Sequence, residues 1–81
     1  MAVQVRLFAA VREAAGTGET SAEPATLPEL LASLRGRYGE PFTTRLRSCT
    51  VLIDGTAVGR DADVVVPDGA EVALLPPVSG G

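Results

Sequence analysis

Residues 26–39, TLPELLASLRGRYG, decide the architecture. Thr26 and Glu29 stand at capping-box spacing, where a threonine oxygen and a glutamate carboxylate satisfy two free N–H groups of a first helical turn. Pro28 falls inside that turn, where no N–H is needed. Leu27, Leu30, Leu31, Leu34 and Tyr38 recur at three- and four-residue steps and form a single apolar stripe. Gly36 weakens the helix late, and Gly39 followed by Pro41 ends it. A helix with one apolar stripe needs one apolar surface to lie on, and the flanking sequence supplies strands.

Toward the N-terminus, Val3, Val5 and Leu7 alternate with Gln4, Arg6 and Phe8, the period of a strand with one buried face. Ala9–Ala15 is rich in helix formers and stops at Gly16. Glu19–Glu23 is short and polar, an edge strand expected to pair back on the first. Toward the C-terminus, Pro41–Arg47 is expected to be irregular or a short turn. Cys49–Asp54 reads as a strand, Asp54-Gly55 as a tight hairpin turn and Thr56–Val58 as the return. Asp61–Val66 is expected to be extended or one helical turn, and Pro67-Asp68-Gly69 is a second turn. Glu71–Leu75 is the last strand, with Val72 and Leu74 on one parity and Ala73 and Leu75 on the other. Pro76 and Pro77 lack the N–H that a central strand needs. The expected architecture is α+β: a two-layer domain over residues 1–75, with one main helix packed on one face of the sheet, and a flexible tail over 76–81.

Composition narrows the function. The chain has 81 residues, 46% of them hydrophobic, which suits one globular domain and argues against disorder. Ten acids oppose seven bases for a net charge of −3. All seven bases are Arg, without a cluster along the chain, so a nucleic-acid footprint or a basic membrane-binding face is not expected. No apolar run is long enough to span a bilayer, and Met1 leads straight into a strand pattern, so no signal peptide is expected. One Cys precludes an internal disulfide and fits a reducing cytoplasm. With no His, neither a Ser-His-Asp nor a Cys-His catalytic centre can form within the chain.

The tail, PPVSGG over residues 76–81, is the most informative feature. Two prolines resist collapse and project the chain outward. Six extended residues reach ~20 Å. Glycines without side chains can pass through a narrow channel in a partner. The one functional group at the tip is the α-carboxylate of Gly81, whose ordinary pKa of ~3.5 leaves it ionised and unreactive until activated. The other candidates read as structure. Cys49 begins an apolar strand and is expected to be buried. Gly16-Thr17-Gly18 lacks the third glycine of a phosphate loop and reads as a turn. Asp61, Asp63 and Asp68 match no calcium loop, so no metal site is expected. Arg12 and Arg60 are open between contacts to acidic or phosphate-bearing partner surfaces and plain surface charge, and neither is assigned a role.

These residues carry a resemblance. The start Val5-Arg6-Leu7-Phe8-Ala9 with Val11-Arg12-Glu13, the helix start Thr26–Leu31, the hairpin Ile53-Asp54-Gly55 and the ending from Asp68-Gly69-Ala70-Glu71-Val72 through PPVSGG resemble the MoaD/ThiS sulfur carriers. The resemblance covers the whole chain. It implies a ubiquitin-like β-grasp fold with a mixed sheet. It implies that an adenylating enzyme of the MoeB type uses ATP to activate Gly81, and that a sulfur-donor protein then leaves a thiocarboxylate there. The ending is most like that of the small subunit of molybdopterin synthase. In that reading Pro76, Pro77, Val78, Ser79 and Gly80 thread the tail into a MoaE-like large subunit, where Gly81 gives sulfur to precursor Z. Phe8 and Leu75, both of outward parity, are the implied partner contacts. The chain then holds no cofactor of its own and acts as a sulfur-donating subunit rather than as a catalyst. The alternatives are a carrier for cysteine, thiamine or tRNA thiolation, and a ubiquitin-like protein modifier.

Overall fold

A computed structural model describes residues 2–77. Strand β1 (Val3–Leu7) buries Val3, Val5 and Leu7 and exposes Gln4 and Arg6, as the alternation requires. Helix α1 (Ala9–Ala15) ends at Gly16, whose φ of 80° is the left-handed conformation that glycine accepts without strain. Strand β2 (Glu19–Ala22) returns antiparallel to β1. Strand β3 (Ala25–Thr26) leads into α2 (Leu27–Tyr38). The capping box forms as the spacing predicts: the Thr26 hydroxyl accepts from the Glu29 N–H at 3.3 Å, and the Glu29 carboxylate accepts from the Thr26 N–H at 3.1 Å. Leu27, Leu30, Leu31 and Leu34 are buried, with Tyr38 half-buried at the end of the stripe.

Pro41–Arg47 is not irregular. Helix α3 (Phe42–Leu46) forms there, because Phe42 and Leu46 lie one turn apart and both enter the core. Tyr38 and Phe42 join α2 to α3, with ring centroids 5.1 Å apart and planes tilted by 48°. Strands β4 (Thr50–Ile53) and β5 (Thr56–Val58) follow, linked by a two-residue turn with positive φ at both Asp54 and Gly55. That geometry matches the right-handed twist of the flanking strands. Within Asp61–Val66 only Val65–Val66 is ordered as a strand, β6, which pairs with β3. Strand β7 (Glu71–Leu75) buries Val72 and Leu74.

The five-stranded sheet has the order β2-β1-β7-β4-β5, and β3 with β6 forms a separate pair. β1 and β7 are parallel at the centre, and the other neighbours are antiparallel. A mixed sheet with one main helix against its buried face is the ubiquitin-like β-grasp. The sequence patterns alone do not dictate the parallel β1–β7 pair; the resemblance implied a mixed sheet, and the structure supplies its register.

Candidate functional site

The tail leaves the sheet from its central strand. β7 runs parallel to β1 with Leu7 opposite Leu74, so one step further the two chains reach Phe8 and Leu75 together. The Phe8 N–H donates to the Leu74 carbonyl at 3.2 Å and holds this end of the pair closed. Phe8 remains extended, whereas Ala9 turns to a φ of 52°. A left-handed alanine costs about 1–2 kcal/mol, and the sharp corner it makes starts α1 immediately beyond the strand. Phe8 is 37% exposed, a large apolar side chain only partly covered. Leu75 is half-buried and lies opposite Thr50 of β4. Pro76 and Pro77 are exposed.

A cavity of about 150 Å³ opens where the tail begins. Phe8, Val11, Cys49, Pro76 and Pro77 wall its apolar side, and Arg45 and Ser48 reach it from α3 and the turn that follows. The structure therefore brings Phe8 together with the two prolines. Leu75 does not line that cavity. The residues missed by sequence reasoning are Arg45 and Ser48, which the fold brings to the tail through α3. The signal available was the one-turn spacing of Phe42 and Leu46. Next to this corner the open sheet face carries Arg6, whose Nε lies 3.0 Å from Glu71 Oε2 and whose Nη2 lies 3.6 Å from Glu19 Oε2. All three side chains are about half exposed, so the pairs add little stability and mainly hold Arg6 across the face.

Cys49 is 6% exposed, and its thiol donates to the Arg45 carbonyl at 3.6 Å. Burial pushes the thiol up from its ordinary 9.0, with the Arg60 charge opposing the shift. A thiol in that state is a poor nucleophile at neutral pH. Gly16-Thr17-Gly18 forms a turn, with the Thr17 hydroxyl donating to the Glu19 carbonyl at 2.9 Å. Asp61, Asp63 and Asp68 are exposed, and no group of metal-ligating side chains occurs among the described residues. Arg60 donates to the Cys49 carbonyl at 2.8 Å, tying the loop after β5 to the start of β4. Arg12 lies on exposed helix surface. Val78, Ser79, Gly80 and Gly81, expected to thread and carry the reactive terminus, lie outside the described residues. Among the described residues no helix is long and apolar enough to cross a membrane.

The ThiS family model matches residues 5–81, from the first strand through the last glycine. The chain belongs to the ThiS family. That grouping takes in sulfur carriers and ubiquitin-like modifiers. Among solved structures, this ThiS-family chain is similar to a putative molybdopterin converting factor subunit 1 from Pyrococcus furiosus, with 26% identity over 96% of this chain and 99% of that one and a TM-score of 0.81. It is similar to the small archaeal modifier protein 1 from Methanosarcina acetivorans, with 30% identity over 99% and 96% and a TM-score of 0.74. It also matches a chain of the BexX/CysO complex of Amycolatopsis orientalis, with 26% identity over 98% and 99% and a TM-score of 0.78. Relatives thus work in complexes with partner proteins. No curated protein matches the chain.

Proposed function

We propose that this chain is the sulfur-carrying small subunit of a molybdopterin synthase and that the Gly81 carboxylate is the group charged with sulfur. The observation that carries the reading is the family match that runs through to Gly81, beyond a strand that stops at Leu75 and two exposed prolines. A carboxylate has no leaving group, and ATP on an adenylating enzyme supplies one: a carboxylate oxygen attacks the α-phosphorus and pyrophosphate departs. Sulfide-level sulfur supplied by a donor protein then attacks the acyl carbon and displaces AMP, and Gly81 ends as a thiocarboxylate. In a MoaE-like large subunit that sulfur passes to precursor Z. This chain contributes position: β7 aims the tail, Pro76 and Pro77 stiffen its base, and Phe8 with Leu75 forms the docking edge. ATP and the activating chemistry belong to the partners.

The likeness to the Pyrococcus furiosus converting-factor subunit supports the molybdopterin pathway. The 30% identity to the small archaeal modifier favours a second reading, attachment to lysines of other proteins. A carrier for cysteine, thiamine or tRNA thiolation uses the same charged terminus. Reconstitution separates them. Charged protein is mixed with a MoaE-like large subunit and precursor Z, and dithiolene formation is followed by conversion to a fluorescent pterin derivative. Product made in proportion to the charged carrier supports the proposal. Isopeptide adducts on other proteins, or sulfur delivered only to another pathway's acceptor, would replace it.

A further inference from the structure

We propose that the cleft between α2, α3 and the loop after β5 binds a small phosphate monoester, gripped by Arg35, Arg47 and Arg60. The three arginines come from the last turn of α2, the end of α3 and the residues just beyond β5, and only the fold brings them to one cavity of about 400 Å³. They are three of the seven cations on a chain of net charge −3. Both ion pairs among the described residues belong to Arg6, so none of the three has a carboxylate partner there. Arg35 and Arg47 also sit where a cation favours a helix C-terminus, which accounts for two of them but not for their convergence with Arg60. Arg60 is anchored, since one of its N–H groups donates to the Cys49 carbonyl at 2.8 Å. Its remaining donors are available. A guanidinium fork matches the oxygens of phosphate better than it matches any neutral ligand.

The remaining walls sharpen the ligand class. Leu31 and Leu46 supply apolar floor, and Asp61 is the one acid in the lining. Asp61 repels a bare anion but accepts hydrogen bonds from hydroxyl groups. A phosphate ester of a small hydroxylated carbon skeleton satisfies both ends, whereas free phosphate satisfies one. The volume falls in the range of about 300–1,000 Å³ usual for small-molecule sites. None of these residues lines the cavity at the base of the tail, so the site stands apart from the sulfur chemistry.

The test is calorimetry on the full chain at low salt with two probes, inorganic phosphate and glycerol 3-phosphate. Saturable binding of both, with the ester tighter, is expected. Replacing Arg35 and Arg47 together by Gln should weaken both probes by about tenfold or more, the scale of losing charge-assisted hydrogen bonds. Arg60 is left in place because its bond to the Cys49 carbonyl is structural. Asp61→Asn should weaken the ester and strengthen free phosphate. No saturable binding of either probe, or equal affinity in the folded double-Gln variant, overturns the proposal. So does binding of a polyglutamate peptide without either phosphate compound, which would make the cleft a contact for an acidic protein surface.

Discussion

Truncating Phe42 to alanine probes the element that the sequence pattern did not announce. Phe42 is fully buried, and its ring lies 5.1 Å from that of Tyr38, so the change removes both a core side chain and the aromatic link between α2 and α3. Burial and cavity terms for Phe→Ala cost about 3–5 kcal/mol, and the lost ring pair falls within that sum. A domain of this length is stable by roughly 4–12 kcal/mol, so the variant sits near the edge of folding. For a domain of this size each kcal/mol lowers Tm by about 4–8 °C, which predicts a drop of about 12 °C at the least. Urea unfolding followed by far-UV circular dichroism measures it, through a lower midpoint at constant slope. Thr44→Ala, on the exposed side of the same helix, loses only an exposed hydrogen bond to the Glu40 carboxylate and should cost about 1 kcal/mol or less. If Phe42→Ala costs less than about 1 kcal/mol, Phe42 is not a core residue in solution. The wall that α3 gives to the base of the tail would then have no structural basis.

Four further outcomes follow from particular contacts. Thr26→Ala removes half of the capping box and should cost about 1 kcal/mol by denaturant unfolding, while Thr26→Ser should cost much less. Glu29 is held below its ordinary 4.5 by its hydrogen bonds to the Thr26 backbone and hydroxyl. A depressed carboxyl contributes stability that is present above about pH 4.5 and is lost as pH falls through the lower, folded-state value. The Glu29→Gln chain should therefore show a shallower loss of stability with acid over that window, and an identical pH profile counts against the box. Phe8→Asp should leave the chain folded by far-UV circular dichroism yet weaken large-subunit binding by calorimetry, and unchanged affinity removes Phe8 from the docking edge. The Cys49 thiol should react with a disulfide reagent far more slowly in the native chain than in urea, because it is buried and its pKa is raised.

Much of the fold is legible in local patterns. The Thr26–Glu29 spacing, the leucine stripe, the β1 alternation and the Asp54-Gly55 turn each report a short-range preference that the tertiary structure did not override. Helix α3 escaped because only two of its residues, Phe42 and Leu46, carry the period, and five residues are too few to show a stripe. The β3–β6 pair escaped because two residues per strand carry no alternation. The parallel β1–β7 register is a long-range choice between segments more than sixty residues apart, and periodicity within each strand says nothing of it. That register sets Phe8 beside the end of β7. The same limit hid Arg45 and Ser48, which reach the tail only through a helix that the sequence leaves unannounced. It also hid the convergence of Arg35, Arg47 and Arg60.

The central claim, that sulfur is carried on the last carboxyl group, is open to one direct measurement. The chain is charged with its adenylating enzyme, ATP and a sulfur donor, and is then cleaved after arginine. The last arginine is Arg60, so residues 61–81 are released as a fragment that contains neither cysteine nor methionine, while Cys49 leaves on the fragment 48–60. The account predicts an oxygen-to-sulfur mass change in the 61–81 fragment, localised to Gly81 by fragmentation and dependent on ATP. Sulfur found only on the Cys49 fragment, with the terminal fragment unchanged, would contradict it.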